Sequence, residues 1–413
     1  MKNKKITLSI IKEARIDENR TPLIPSQISN LLVKLSNLKI IVQPSKNRCF
    51  KDEDYLKAGA EITDDLSNAD IILGVKEVEI SKLIENKTYL FFSHTSKVRQ
   101  YINKATQDKA IIYKKELLRE VIKKNVTLID YENIRSISGE AYRYLGFGRF
   151  AGIVGCYNTL NLYLKLQNKQ LLPRAFEINS YEKIKELISN QTFNKLKILQ
   201  TGRGNVAKGS MEVLKLANIK QISIKDYLNK KYDEAVFCNI STREYIERID
   251  GKNFSYQDLF LNPHEYRSKI KNFLFDTDVL ICGHYWDSRF PKFFSSNQIN
   301  EFKNLKIIGD ITCDINGAIP TTIRSTTIAK PYYSIDINSM KEINLGNKGI
   351  AVMAVDNLPS ELPRDSSKEF GDNLISEVLP YLIDKDDGRI SRGTTASNGK
   401  FCSKFAYLND FIN

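Results

Sequence analysis

Lys76 and His94 each stand at the end of an apolar run, in ADIILGVKE and KTYLFFSH. If those runs are strands of a parallel α/β sheet, both side chains emerge at the carboxyl edge, where such sheets open to ligands. An amine and an imidazole placed there suit proton transfer. Each also has a plainer reading, a surface lysine and a structural histidine. Histidine is scarce: the chain has only His94, His264 and His284. Any mechanism that needs an imidazole draws on one of these three.

A second pattern is built for phosphate. Gly202, Gly204 and Ala207 form G-x-G-x-x-A within KLKILQTGRGNVAKGSMEVLKLANIKQISIKD. The first glycine permits a tight turn, the second lets backbone approach a pyrophosphate, and the small third residue lets helix press on strand. Amides and the helix dipole at the helix start favour the phosphates. Ile198–Leu199 reads as a strand before the turn and SMEVLKLA as an amphipathic helix after it. The segment Gly202, Arg203, Gly204, Asn205, Val206, Ala207 is therefore the expected dinucleotide loop. QISI reads as the second strand, ending at Ile224, and Asp226 follows 22 residues after Gly204. An acid about 20 residues on accepts hydrogen bonds from the ribose of NAD(H). Neighbouring Lys225 favours the 2′-phosphate of NADP(H), so both cofactors stay open, with the acid tipping the expectation to NAD(H).

These residues need elements to hold them. Apolar runs suited to strands cover residues 6–11, 38–42, 71–75, 89–92 and 126–129, with helix-like stretches between them, one over about 98–124. Such alternation predicts α/β architecture with a largely parallel sheet. GFGRFAGIVGCYNTLNLYLKL, from Gly146 to Leu166, predicts a helix whose small residues Gly148, Ala151, Gly152 and Gly155 allow close approach to its neighbours. Further strands are expected at 234–240, 278–283 and 305–311. No internal repeat or low-complexity tract is present.

Composition narrows the classes. The 413 residues are 42% hydrophobic and 27% charged, ordinary globular values that exclude a disordered or fibrous chain. Lys plus Arg is 62 against 49 for Asp plus Glu, a net charge of +13. That charge suits solvated faces or anionic small molecules, and no nucleic-acid-binding motif accompanies it. No run of 18 apolar residues predicts a membrane span. The basic start and short apolar run read as a first strand, not a signal peptide, so a cytoplasmic protein is expected. The six cysteines lack C-x-x-C spacing and are expected to be free thiols, with no metal site.

At this point the chain resembles lysine-forming saccharopine dehydrogenase, also called lysine–2-oxoglutarate reductase, and most of all the reductase half of the bifunctional enzyme of lysine degradation. The likeness covers nearly the whole chain. It is carried by IKEARIDENRTPLIP, ILGVKE, YLFFSHTSK, VTLIDYENI, GFGRFAGIVG, TGRGNVAKG, ICGHYWDSRFP, GDITCDINGAI, AVDNLPSELPRDSSKEFGDNL and ASNGKF. The wider group includes alanine dehydrogenase and the nucleotide-binding part of transhydrogenase. Alanine dehydrogenase usually has L-H-L-A-A where this chain has Ser93-His94-Thr95-Ser96-Lys97, which favours the saccharopine branch.

The resemblance implies two Rossmann-like domains with parallel sheets and a cleft between them. A discontinuous substrate domain would hold 1–147 and 345–413, and a dinucleotide domain 148–344. It implies reversible NAD(P)-dependent interconversion of saccharopine with L-lysine and 2-oxoglutarate. Lys76 would handle the proton of the reacting amine, and His94 the carbonyl or carbinolamine oxygen. Arg20 and Arg143 fall on the family's substrate arginines, Arg15 is a third, and Glu18 and Glu77 would orient Arg20 and Lys76. Tyr285 and Trp286 fall near the nicotinamide, as do Asp310 and Asp314, although Thr312 and Cys313 depart from the family's D-x-S-x-D stretch. The partners implied are small molecules, with neither nucleic acid nor membrane, and the oligomeric state stays open. Two alternatives stand beside this reading, an alanine dehydrogenase-like enzyme and a catalytically idle dinucleotide-binding protein.

Overall fold

The structure is a computed structural model, and it describes residues 5–102, 107–136, 142–346 and 349–413. The chain divides into two compact units, Met1–Gly146 with Pro363–Asn413, and Phe147–Leu362. Along unit one run β1 (Ile6–Ile10), β2 (Leu38–Val42), β3 (Glu61–Ile62), β4 (Ile71–Leu73), β5 (Thr88–Phe91) and β6 (Thr127–Asp130). Unit two holds β7 (Leu196–Thr201), β8 (Lys220–Gln221), β9 (Ala235–Ile240), β10 (Ile246–Arg248), β11 (Tyr266–Ser268), β12 (Val279–Cys282), β13 (Ile307–Asp310), β14 (Tyr332–Ile335), β15 (Glu342–Ile343) and β16 (Ile350–Met353). The chain then returns to unit one with β17 (Thr394–Ser397) and β18 (Lys400–Phe401).

The sheet of unit one has the order β18-β17-β6-β5-β4-β1-β2-β3. From β6 to β3 every pairing is parallel. Buried apolar side chains along β1, β2, β4 and β5 fit a sheet covered on both faces. One covering helix, Lys109–Lys123, begins where Asp108 accepts a hydrogen bond from the Ala110 amide at 2.9 Å. It buries Ile111, Leu117, Leu118 and Val121 on one face. The helix expected over about 98–124 starts later, after a short 3-10 turn at Arg99–Tyr101; residues 103–106 of that stretch lie outside the described residues. β17 adds to β6 antiparallel, with Thr394 opposite Ile129.

The sheet of unit two has the order β15-β14-β16-β13-β12-β7-β9-β8. It is parallel from β16 to β8 and antiparallel at β14 and β15. The chain moves outward to one side after β7 and to the other with β12. The switch point, where such sheets take ligands, therefore lies at the carboxyl ends of β7 and β12. The helix Gly148–Leu166 covers this sheet and packs on the helix Asn205–Leu216. A Cβ on Gly152 would come within 1.9 Å of the Val206 carbonyl, and one on Gly209 within 2.0 Å of the Arg149 carbonyl. The small residues of GFGRFAGIVG thus bring one backbone against the other, and the neighbour is the helix that starts at the glycine turn.

Two expectations are corrected. The boundary placed at 345 falls at Leu362/Pro363, because the fully buried segment IAVM enters the second sheet as β16, parallel to β13. The second strand expected to end at Ile224 is only Lys220–Gln221, both exposed at the sheet edge. The apolar segment AVFCNI, buried at five of its six positions, takes the inner place beside β7 instead. Among the described residues no helix is long and apolar enough to cross a membrane, and the six cysteines are free thiols.

Candidate active site

In unit one the sheet brings four chain segments to one edge. β6, β5, β4 and β1 are consecutive neighbours and parallel. The residues after their carboxyl ends are Glu132, His94, Lys76 and the stretch from Glu13 to Arg20 respectively. The Phe92 amide donates to the Val75 carbonyl at 3.1 Å, so the ladder of β4 and β5 continues to the residues just before Lys76 and His94.

Lys76 is partly buried. Burial holds its pKa below the usual lysine value, and Arg20 pushes the same way, against Glu77 and Glu18. Its backbone is gripped by Glu13, whose Oε1 accepts from the Val75 amide at 2.6 Å and whose Oε2 accepts from the Lys76 amide at 3.0 Å. Burial, with Glu18 nearby, pushes the Glu13 carboxyl up to about 8. The sequence reading missed Glu13. It lies inside the motif IKEARIDENRTPLIP, but its partners are some sixty residues away in sequence, and no local spacing announces them.

His94 adopts a left-handed backbone conformation, φ 51°. Its Nδ1 lies 3.3 Å from Glu132 Oε2. Glu132 is buried and also lies 3.0 Å from Arg143 and 3.5 Å from Lys97. These cations hold its carboxyl well below the usual range in spite of its burial. Next to it, buried Asp130 accepts from Ser93 Oγ at 2.6 Å and from the Glu132 amide at 2.8 Å. Burial, and then Glu132, push its pKa up. Glu132 was also missed, although a carboxylate just past an apolar strand in VTLIDYENI is the same signal that marked Lys76 and His94.

The expected substrate arginines are each paired with an acid. Arg20 Nε donates to Glu18 Oε1 at 2.7 Å, and both side chains are buried. Arg143 joins His94 on Glu132. Arg15 pairs with Asp17 and is about a third exposed. The structure thus brings Lys76, Arg20 and Arg15 into one electrostatic neighbourhood and gathers His94 and Arg143 on one carboxylate.

In unit two the glycine turn follows β7. Gly202 has φ 106°, and a Cβ there would meet the Gly283 carbonyl at 2.4 Å. Gly204 faces open space: a Cβ would find nothing within 4 Å. Arg203, Gly204 and Asn205 are exposed, Val206 is partly buried, and Ala207 is buried against Gly283. A tight turn, an open approach over Gly204 and a twelve-residue helix behind it fit a bound pyrophosphate. His284 follows β12; Thr201 Oγ1 and its Nδ1 are 2.8 Å apart, and burial depresses its pKa to about 3. Tyr285 is 55% exposed and faces the Phe260 ring at 6.2 Å, while Trp286 donates to the Pro291 carbonyl at 3.3 Å. Asp310 ends β13, buried, and accepts from Thr312 Oγ1 and Thr322 Oγ1, both at 2.5 Å. Burial raises its pKa. The hydroxyl of Thr312 thus serves as a donor to Asp310, and Asp314 is exposed on the following loop.

Asp226 does not end a strand. It lies in the first turn of the short helix Ile224–Asn229, where its amide donates to the Ser223 cap, and its carboxylate pairs with Lys230 at 2.9 Å. The reason is that β8 stops at Gln221 and Ser223 starts a helix. Among the described residues no group of three His, Cys, Asp or Glu side chains is arranged to hold a metal ion.

The two mostly parallel sheets, with a phosphate-type turn in one and an amine–imidazole edge in the other, define a two-domain α/β protein. Residues 9–153 match the alanine dehydrogenase/PNT N-terminal domain and residues 234–403 the alanine dehydrogenase/PNT C-terminal domain. The chain belongs to the alanine dehydrogenase/PNT family. It is 30% identical to alpha-aminoadipic semialdehyde synthase of Arabidopsis thaliana over 95% of this chain and 40% of that one. The chain therefore spans less than half the length of that relative. It is 24% identical to saccharopine dehydrogenase [NAD(+), L-lysine-forming] of Neurospora crassa over 97% of both chains. It is also 24% identical to alanine dehydrogenase of Staphylococcus epidermidis over 91% of this chain and 86% of that one. A solved L-alanine dehydrogenase shares its fold, with a TM-score of 0.58 at 14% identity over 98% of this chain and all of the other.

Proposed function

We propose that the protein interconverts saccharopine with L-lysine and 2-oxoglutarate, using a nicotinamide dinucleotide. The observation that carries this reading is the placing of a partly buried lysine of lowered pKa and a carboxylate-oriented histidine beyond neighbouring parallel strands. The relatives named for saccharopine and aminoadipic semialdehyde metabolism support the substrate class.

The chemistry condenses the ε-amine of lysine with the ketone of 2-oxoglutarate, loses water and reduces the resulting imine. When bound, the dinucleotide supplies or accepts the hydride. Lys76, held below its ordinary pKa, takes the proton from the incoming ammonium and so frees the amine to attack. Glu13 fixes the backbone from which it reaches. His94, oriented by Glu132 at Nδ1, presents its other ring nitrogen to give a proton to the carbinolamine oxygen, which leaves as water. Arg20, steadied by Glu18, and Arg143, steadied by Glu132, supply the positive charge that substrate carboxylates need. In unit two the turn Gly202–Ala207 would hold the pyrophosphate.

Lys76→Met and His94→Gln test this assignment. Each is expected to lower turnover with lysine and 2-oxoglutarate by about 10²-fold or more, the scale of general acid–base catalysis. Each should also erase one limb of the pH–rate profile, and cofactor affinity should stay within twofold. Near-parental turnover with an unaltered profile in either variant would remove that residue from the mechanism.

A further inference from the structure

β17 and β18 close the sheet of unit one on the side of β6. They carry ASNGKF, whose Asn398 and Gly399 both take positive φ, the backbone of a two-residue hairpin turn. β17 runs antiparallel to β6, with Thr394 opposite Ile129, so its beginning lies beside the carboxyl end of β6. β18 returns antiparallel to β17, and its end reaches the same edge. The hairpin thus delivers Arg392, just before β17, and Lys404, just after β18, to the edge that carries Glu132, His94 and Lys76. Contacts agree with this placing. Arg392 Nη2 donates to the Arg135 carbonyl at 3.3 Å, Lys404 Nζ to the Arg392 carbonyl at 3.3 Å, and Arg135 Nε to the Glu132 carbonyl at 3.0 Å. Partial burial, then Arg135 and Arg392, hold the Lys404 amine below its ordinary pKa, so these cations share one neighbourhood. Arg15, Arg20 and Arg143 each pair with an acid. Arg392 and Lys404 differ: among the described residues neither forms an ion pair, and Arg392 Nε finds no acceptor.

We infer that Arg392, with Lys404 beside it, binds the α-carboxylate of the lysine substrate and so selects an α-amino acid over a plain amine. The inference rests on the saccharopine reading of the Lys76–His94 edge. Reach decides which carboxylate is meant. β17 lies two strands from β5, roughly 10 Å at the usual separation of neighbouring strands, and the side chains of Arg392 and His94 narrow that gap. In lysine the carboxyl carbon is six bonds from the reacting nitrogen, roughly 7–8 Å when extended. In 2-oxoglutarate one carboxylate adjoins the ketone carbon and the other is three bonds away, about half that reach. With imine formation beside His94, only the lysine carboxylate spans to the hairpin. Arg392 is partly exposed, and a guanidinium without a protein carboxylate receives one from the ligand through charge-assisted hydrogen bonds. Lys404 adds an exposed ammonium at the same place.

Steady-state kinetics of the full chain test the inference, with 2-oxoglutarate, reduced nicotinamide dinucleotide and either L-lysine or 1,5-diaminopentane, which keeps the reacting amine and lacks the carboxylate. The parent is expected to favour lysine by about 10- to 100-fold in kcat/KM, the scale of one or two charge-assisted hydrogen bonds. Arg392→Ala should raise the KM for lysine by that factor and remove the preference over the diamine. It should leave kcat and the KM for 2-oxoglutarate within about threefold and both limbs of the pH–rate profile in place, as for a group that binds ground and transition states alike. Arg392→Lys should restore part of the loss. Lys404→Ala, at an exposed side chain, should raise the KM for lysine about 2- to 5-fold. The inference is overturned if Arg392→Ala, at an unchanged melting temperature, leaves the lysine KM and the preference as they were, or raises the KM for 2-oxoglutarate instead. If Arg392→Ala melts early, Lys404→Ala decides, and an unaltered lysine KM in that variant overturns the inference. If the parent turns over lysine and the diamine equally well, the saccharopine-type chemistry stands and the Arg392 assignment alone falls. If the parent turns over neither amine with 2-oxoglutarate, the saccharopine reading itself fails, and this inference falls with it.

Discussion

Glu13 grips the strand end that carries Lys76, and its own titration should be visible in stability. Its carboxyl sits at about 8 in the folded chain against an ordinary value of 4.5. A raised folded pKa means that the folded state holds the proton longer than the unfolded state. Stability tied to that proton is fully present below about pH 4.5 and is lost as pH rises toward 8. Glu13→Gln removes this dependence. The melting temperature of Glu13→Gln, relative to the parent, should therefore climb between pH 5 and pH 8, read by thermal scans at matched ionic strength. A difference that stays flat across this window would show that Glu13 is not held neutral. Glu132 has the opposite sign, since its cations depress its pKa and its contribution is lost as pH falls. These carboxylates show where sequence reading stops. The strand-end positions of Lys76 and His94 were legible because each follows an apolar run, a property of its own neighbourhood. Glu13 and Glu132 act on residues far along the chain, and only the sheet brings them together.

At the scale of elements, the glycines divide into two physical classes, and substitution separates them. Gly152 lies against the Val206 carbonyl, so Gly152→Val forces two backbones apart. It should cost at least about 1–3 kcal/mol, the usual penalty of overpacking, and lower the melting temperature. Gly204 has open space before it, so Gly204→Val should leave the melting temperature nearly unchanged and abolish dinucleotide binding by calorimetry. Equal melting losses in both variants, or intact binding in Gly204→Val, would contradict this division. The helix Gly148–Leu166 and the strand–turn–helix from β7 were legible because their apolar and small residues recur locally. The placing of β8 was not. QISI looks like a strand by composition, yet Lys220 and Gln221 are exposed and Ser223 already caps a helix. Which strand lies beside β7 is decided by burial, and the apolar β9 buries more than β8 can. That competition between segments is absent from either segment alone, and it leaves Asp226 in a short helix beyond the sheet edge.

For the whole molecule, the division of labour follows from the two sheets. Unit one carries an amine, an imidazole and paired arginines at one sheet edge, and unit two carries an open phosphate turn. The alternation of apolar runs announced α/β architecture with a largely parallel sheet, whereas the boundary at Leu362/Pro363 was hidden because β16 is apolar enough to serve either sheet. The chain belongs to the alanine dehydrogenase/PNT family, and its relatives leave two substrate classes to be separated. The measurement that separates them is reduced-nicotinamide absorbance followed with the purified chain, offered L-lysine plus 2-oxoglutarate in one cell and pyruvate plus ammonia in the other, with NADPH and NADH each supplied in turn. The account predicts oxidation with lysine plus 2-oxoglutarate and little or none with pyruvate plus ammonia. Turnover of pyruvate plus ammonia without turnover of lysine plus 2-oxoglutarate would contradict it and assign the same lysine and histidine to alanine dehydrogenase chemistry.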